Sequence, residues 1–214
     1  MHQAFADISM EKSYFTHLVN NYDNGVLQGD WLVRQIFETL QTKGYLNDAM
    51  IIITGDHGDS LSEHQHLGHA FRLYNEDMRV PLLIWDSEQH KITNTHYASQ
   101  VDIAPTIFSR LKLPIPKTWS GTSLYHANHS FKSVHLTHSG KALCSGVVNA
   151  SHKNFYKFIA CKTKKNGMKE ELYDMREDLQ EKHNLMHAFL KTSAGRNQIA
   201  IFRSQLEFFY EPVG

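Results

Sequence analysis

The chain is poor in the features that mark several broad classes of protein. Its 214 residues include only two cysteines, Cys144 and Cys161, which could pair after export or remain as two free thiols. Lysine plus arginine and aspartate plus glutamate both total 22, so no overall field favours nucleic acid or an anionic membrane. No apolar run is long enough to span a membrane, and no signal peptide is recognisable. The 41% hydrophobic fraction is that of an ordinary globular chain with one domain and room for a small appendage.

One polar stretch, by comparison, is unusually rich in groups that bind cations or move protons. It begins after the apolar run Ala49 to Ile53, which is too short for a helix and predicts a strand buried on both faces of a parallel sheet. A second run of this kind, Leu82 to Trp85, closes the stretch. The polar residues between the two runs are Asp56, His57, Asp59, Glu63, His64, His66 and His69. Since open α/β sheets bind ligands at the carboxyl ends of their strands, the order predicts an active-site loop, with a histidine-rich surface loop as the alternative.

The motifs of this stretch resemble the metal-site segment of sulfatases, which belong to the alkaline phosphatase superfamily. The match lies in the order strand, Thr54-Gly55-Asp56-His57-Gly58, a Glu-His turn, Tyr-Asn-Glu and Arg79-Val80-Pro81 over about forty residues. The resemblance implies that Asp56 and His57 bind a divalent metal. Oxygen-rich ligand sets favour calcium or magnesium, and added nitrogen favours zinc or manganese.

The same resemblance implies roles for two further histidines. His69 would contact the non-bridging oxygens of the ester or assist the leaving group, and His2 would contact the substrate. A frayed terminus is the alternative for His2. For His64 and His66 two interpretations stay open: a position on the loop surface, or a supporting contact to the metal ligands.

The rest of the chain predicts the surrounding fold. Apolar spacing indicates a helix from about Lys12 to Lys43, stopped by Gly44, and short alternating runs from Ser133 onward indicate an antiparallel sheet. The expected fold class is α/β: a partial alkaline-phosphatase-like sandwich with mostly parallel strands and helices, then a small C-terminal antiparallel sheet and terminal helix. The expected domains are 1–128, the C-terminal part of the α/β catalytic core, and 129–214, the antiparallel-sheet subdomain.

The resemblance runs from about Tyr14 to Leu185 and covers only the second half of a sulfatase domain. In the family the nucleophile lies upstream, as a C-x-P-S-R cysteine or serine or as a threonine, and neither Leu-Cys144-Ser-Gly nor Ala-Cys161-Lys-Thr fits. We therefore expect a C-terminal fragment that is inactive alone and that belongs to an extracytoplasmic protein, periplasmic or membrane-associated.

Three functions remain open for this chain. The first is part of a metal-dependent sulfuric ester hydrolase. The second is part of a phosphoethanolamine transferase or a phosphonate or phosphodiester hydrolase of the same superfamily, and the third is a stand-alone non-catalytic module. The expected partners are a sulfate or phosphate ester, the missing N-terminal half and a second copy of the chain through its uncovered strand edge, with no nucleic acid.

Overall fold

The computed structural model describes residues 12–69, 72–88, 92, 98–126, 133–139, 143–150, 155–163 and 167–206. The helices and strands are α1 (Lys12–Thr42), β1 (Met50–Thr54), β2 (Ser60–Leu61), β3 (Leu67–Gly68), α2 (Asn75–Met78), β4 (Leu82–Asp86), α3 (Ile103–Arg110), β5 (Ser133–Ser139), β6 (Leu143–Ala150), β7 (Phe155–Thr163), β8 (Gly167–Asp174), α4 (Met186–Leu190) and α5 (Ser193–Gln205). This mixture of helices and strands confirms the α/β class. Within the described ranges, no helix combines the length and apolar character needed to cross a bilayer.

The chain divides into two compact units, and the division does not follow the chain order. The first unit draws on Met1–Gly55, Asp59–Gly68 and Pro81–His90, and the second on Asp56–Gly58, His69–Val80 and Lys91–Gly214. The predicted boundary between residues 128 and 129 lies outside the described residues.

Helix α1 dominates the first unit and confirms the predicted helix. It ends at Thr42, and Gly44 follows with φ 75°, a left-handed conformation that favours glycine. Only part of its apolar stripe is packed. Phe37 meets Trp85 of β4 edge-to-face with ring centroids 5.5 Å apart, whereas Val26 is 57% exposed.

The two apolar runs form strands, but their predicted arrangement is wrong. β1 and β4 pair antiparallel, with Met50 opposite Asp86 and Thr54 opposite Leu82. Neither strand is buried on both faces, since β1 is half-buried and Leu83 of β4 is 60% exposed. The prediction failed because an apolar run indicates a strand but carries no information on its direction, which the partner strand decides.

The second unit is built around a four-stranded antiparallel sheet in the order β5-β6-β7-β8, as the alternating pattern predicted. Successive side chains point to opposite faces of the sheet, and both faces are covered. One face packs Val147, Phe158, Ala160 and Leu172 against Met186, Ile199, Phe202 and Leu206 of the C-terminal helices and their flanks. The other face packs Cys144, Phe155, Ile159, Cys161, Tyr173 and Met175 against Leu73 and Tyr74.

The two cysteines form a disulfide, which decides between the two alternatives left open by the sequence. Cys144 of β6 lies directly opposite Cys161 of β7, with Cα atoms 4.1 Å apart, and both residues are buried. The bond therefore ties the two central strands together beneath Leu73 and Tyr74.

Reduction of this disulfide is expected to destabilise the second unit. A cross-link of this loop length stabilises a fold by about 3 kcal/mol, mainly by restricting the unfolded chain. Thermal unfolding should be recorded with and without reductant, with the Cys144→Ala/Cys161→Ala variant as a control that reductant should not affect. Titration of two thiols in unreduced, denatured protein from an oxidising host would contradict the pairing.

Candidate metal centre

The Asp56-His57-Gly58 turn follows β1 directly and belongs to the second unit. Gly58 holds the turn against the segment that contains α2, because its N–H donates to the carbonyl oxygen of Asp77 at 2.8 Å. A Cβ atom at position 58 would come under 3.0 Å from the carbonyl oxygen of Glu76. The close approach of two backbones is therefore the reason for glycine here.

The imidazole of His57 is held in one orientation by this turn. Its Nδ1 lies 2.8 Å from the carbonyl oxygen of Gly58. Because a carbonyl only accepts hydrogen bonds, Nδ1 carries the proton, and in the neutral ring Nε2 keeps its lone pair. Backbone carbonyls orient metal-binding histidines in this way. Nε2 also lies 3.7 Å from Oδ2 of Asp56, so the two atoms are placed to share a cation.

The carboxylate of Asp56 is exposed and ionised. Its side chain is 89% exposed, and its Oδ1 accepts the backbone N–H of His57 at 2.9 Å. That hydrogen bond is the main reason why the pKa of Asp56 is below its usual value, with a smaller contribution from the nearby imidazoles. The group is thus an anionic oxygen at neutral pH.

His69 lies beside His57 in the second unit. The ring centroids are 4.0 Å apart at an angle of 34°, and the ligand atoms of the two histidines lie within 4.8 Å of one another. The second unit therefore brings together three predicted site residues, Asp56, His57 and His69. His57 and His69 offer imidazole nitrogens, and Asp56 offers a carboxylate oxygen 3.7 Å from His57 Nε2. Nitrogen donors of this kind fit zinc or manganese better than calcium. His2 lies outside the described residues.

The predicted cation-binding residues of the first unit have local structural contacts. Glu63 accepts the N–H of Leu61 at 2.6 Å and the hydroxyl of Ser60 at 3.3 Å. The same hydroxyl lies 2.8 Å from the carbonyl oxygen of His66, and His64 and His66 are half-buried. These contacts close the β2–β3 hairpin, so Glu63 stabilises a turn.

Two features near the turn were missed by sequence reasoning. The first is Gln100, whose Nε2 donates to the carbonyl oxygen of Asp56 at 3.0 Å. No local pattern marks a glutamine as the partner of a backbone carbonyl 44 residues away.

The second feature is a buried ion pair. Lys157 Nζ lies 2.8 Å from Glu181 Oε1, and the two side chains are 1% and 0% exposed. Burial lowers the pKa of Lys157 and raises the pKa of Glu181, and their mutual attraction opposes both shifts.

The ion pair fixes the start of α2. Asn75 accepts from Lys157 Nζ at 3.1 Å, and its backbone N–H donates to Glu181 Oε2 at 2.6 Å. The carbonyl oxygen of Asp77 in the same short helix accepts the N–H of Gly58. The ion pair is therefore linked through α2 to the Asp56-His57-Gly58 turn. The sequence signal for this buried ion pair was Lys157, a lone lysine inside the apolar run Phe155 to Cys161.

Comparison with known proteins identifies relatives of this chain. A family model described as Sulfatase matches residues 1–113 of the chain. Arylsulfatase K of Bos taurus is 27% identical over 181 residues, which are 79% of this chain and 33% of the relative. The Kdo(2)-lipid A phosphoethanolamine 7''-transferase of Salmonella typhimurium is 32% identical over 81 residues, which are 37% of this chain and 14% of the relative.

A solved structure shares the fold. It is the structure of BT4656 in complex with its substrate D-glucosamine-2-N,6-O-disulfate, which superposes with a TM-score of 0.70 at 21% identity over 85% of this chain and 39% of that one. This chain therefore spans about a third or less of the two curated relatives above and about two fifths of BT4656.

Proposed function

The chain belongs to the sulfatase family of the alkaline phosphatase superfamily, and from this premise we propose that it contributes Asp56 and His57 as metal ligands to a sulfuric ester hydrolase. The observation that carries the proposal is the position of His57 Nε2, 3.7 Å from the Asp56 carboxylate while Nδ1 is held by a backbone carbonyl. Members of the family typically bind a divalent metal, and this pair offers one anionic oxygen and one oriented nitrogen for it.

Each site residue then has a defined task. A divalent metal bound here would neutralise charge that develops on the non-bridging oxygens of the ester and favour ionisation of the nucleophile. His69, next to His57, would contact those oxygens or donate a proton to the leaving group. His2 is proposed as a further substrate contact. The substrate bound by BT4656 favours sulfated sugars as the ester class.

The phosphoethanolamine transferases supply the second candidate function. One support is the 32% identity over 81 residues to the Salmonella typhimurium enzyme. The other is the histidine at position 69, where many sulfatases carry a lysine and phosphoethanolamine transferases carry a histidine. An assay of the whole protein on an aryl sulfate and on a phosphate diester distinguishes the two. Turnover of the diester alone would favour the transferase branch.

We also propose an extracytoplasmic location for the protein. The support is the buried Cys144–Cys161 bond, because disulfides persist in oxidising compartments and are rare in the cytosol.

The metal site can be tested on the 214-residue chain by zinc titration in a calorimeter. Loss of one oxygen and one nitrogen ligand in Asp56→Asn/His57→Ala should weaken zinc binding at least about tenfold. His183→Ala is the matched control, because His183 also lies near an aspartate, with its Nδ1 3.5 Å from Asp178 Oδ2, but is 80% exposed and remote in sequence. Equal zinc affinity in wild type and the double variant would remove the metal from this turn.

A further inference from the structure

We propose that Gln100 is a positioning residue for the metal centre, which it serves by fixing the backbone between the two ligands. The inference rests on the proposed function of Asp56 and His57. Gln100 Nε2 donates to the Asp56 carbonyl oxygen at 3.0 Å, so it acts on the peptide group that joins the two ligand residues. Rotation of that peptide would change the directions of both side chains together.

The turn is held at each end by one hydrogen bond from a distant part of the second unit. Gln100 holds the carbonyl of Asp56, and the carbonyl of Asp77 holds the N–H of Gly58 at 2.8 Å. Between these two points lies His57, whose ring bonds to Gly58 and whose N–H bonds to Asp56. The side chain of Asp56 is 89% exposed and that of His57 45% exposed, so packing contributes little to the orientation of Asp56. The hydrogen bonds from Gln100 to Asp56 and from Gly58 to Asp77 therefore fix the backbone from which the two ligand side chains extend.

Gln100 is itself held by a rigid support. It begins the short 3₁₀ turn Gln100–Asp102, and the buried carboxylate of Asp102 accepts the N–H of Ser99 at 2.9 Å and the N–H of Thr122 at 2.8 Å. The hydroxyl of Thr106 donates to the carbonyl of Asp102 at 2.6 Å. Because the backbone on both sides of Gln100 is fixed, its amide is already directed at Asp56 before any metal binds.

The buried support also explains the local sequence. Gly121 lies so near residue 101 that a Cβ atom there would come under 3.0 Å from the carbonyl oxygen of Val101. Thr106 Oγ1 in turn accepts the N–H of Leu124 at 2.9 Å. The segments 99–106 and 121–124 thus form one hydrogen-bonded block. From this block the side chain of Gln100 donates its hydrogen bond to the Asp56-His57-Gly58 turn.

The test compares donor-free variants of Gln100 in the full chain. Gln100→Met keeps the length of the side chain and removes the donor, and Gln100→Ala removes both. Zinc titration is followed by calorimetry and by the ¹⁵N shift of His57 Nε2. Both variants should bind zinc about tenfold more weakly than wild type, within the range found for partners that orient metal ligands. The melting temperature of the metal-free protein should stay within about 2 °C of wild type, because the contact is exposed. Val101→Ala, at an exposed neighbour in the same turn, should change neither quantity.

The outcomes separate this inference from the proposed function. Wild-type zinc affinity in Gln100→Met, with lost affinity in Asp56→Asn/His57→Ala, would overturn the inference alone. Affinity restored by methionine relative to alanine would also overturn it, since the role would then be packing. If the wild-type chain bound no zinc, or if Asp56→Asn/His57→Ala bound it normally, the proposed site would fail and the inference would fail with it.

Discussion

Lys157→Met is expected to lower the free energy of unfolding of the second unit by about 3–5 kcal/mol, because it leaves a buried carboxylate without its counter-charge. Glu181 is 0% exposed at its side chain, and Lys157 Nζ at 2.8 Å is the cation that offsets its burial. Asn75 loses a donor in the same variant, since Lys157 Nζ also bonds its Oδ1. The measurement is chemical denaturation followed by far-UV circular dichroism.

Control variants must separate the effect of removing a buried, paired lysine from the effect of removing any lysine. Lys182→Met changes an exposed lysine next to Glu181 in the chain, and its effect should stay within about 0.5 kcal/mol. Lys157→Met/Glu181→Gln removes both charges, and its neutral amide can still accept the N–H of Asn75. We expect it to recover part of the loss, since neutral replacements of buried pairs are tolerated better than single deletions. If Lys157→Met were as stable as wild type, the ion pair would not be buried in solution.

The same variant tests how far the ion pair supports the candidate site. Asn75 opens α2, and the carbonyl of Asp77 in that helix accepts the N–H of Gly58. Loosening of α2 should therefore reach the turn that holds His57. At temperatures where Lys157→Met is still folded, its zinc affinity should be below that of Lys182→Met.

Local patterns in the sequence account for much of this structure. The 3–4 spacing of apolar residues predicted α1, the glycine at position 44 predicted its end, and alternation predicted the antiparallel C-terminal sheet. The resemblance carried by the motifs from Thr54 to Pro81 singled out Asp56, His57 and His69, whose roles stay predictions. Each of these signals is carried by residues that are neighbours in the chain.

Long-range partners account for what the sequence did not predict. The antiparallel direction of β1 and β4 depends on how the chain returns between them, which an apolar run does not encode. The contacts of Gln100 with Asp56 and of Lys157 with Glu181 join residues far apart in sequence. Glu181 is visible in the sequence as one charged residue among several between Asp178 and Lys182, but nothing local identifies Lys157 as its partner.

Gly58→Ala is expected to abolish most of the zinc affinity of the chain, with a loss at least as large as that of Asp56→Asn/His57→Ala. The added Cβ would fall under 3.0 Å from the carbonyl oxygen of Glu76, and that neighbour is backbone, which cannot swing away as a side chain does. Separation of the two segments would break the Gly58 N–H bond to Asp77 and shift the carbonyl that orients His57 Nδ1. Overpacking of this kind costs about 1–3 kcal/mol of stability as well.

Two glycine variants separate the effect on the site from the effect on stability. Gly195→Ala in α5 also places a Cβ under 3.0 Å from a backbone carbonyl oxygen, that of Phe189, so it should destabilise the second unit without altering zinc affinity in the folded protein. Gly29→Ala in α1 meets nothing within 4 Å and should stabilise the helix by about 0.5–1 kcal/mol with zinc binding unchanged. Zinc titrations below the melting temperature of each variant decide the matter. If Gly195→Ala lost zinc as completely as Gly58→Ala, general destabilisation would explain both losses, whereas loss in Gly58→Ala alone follows from the position of Gly58 between His57 and the carbonyl of Asp77.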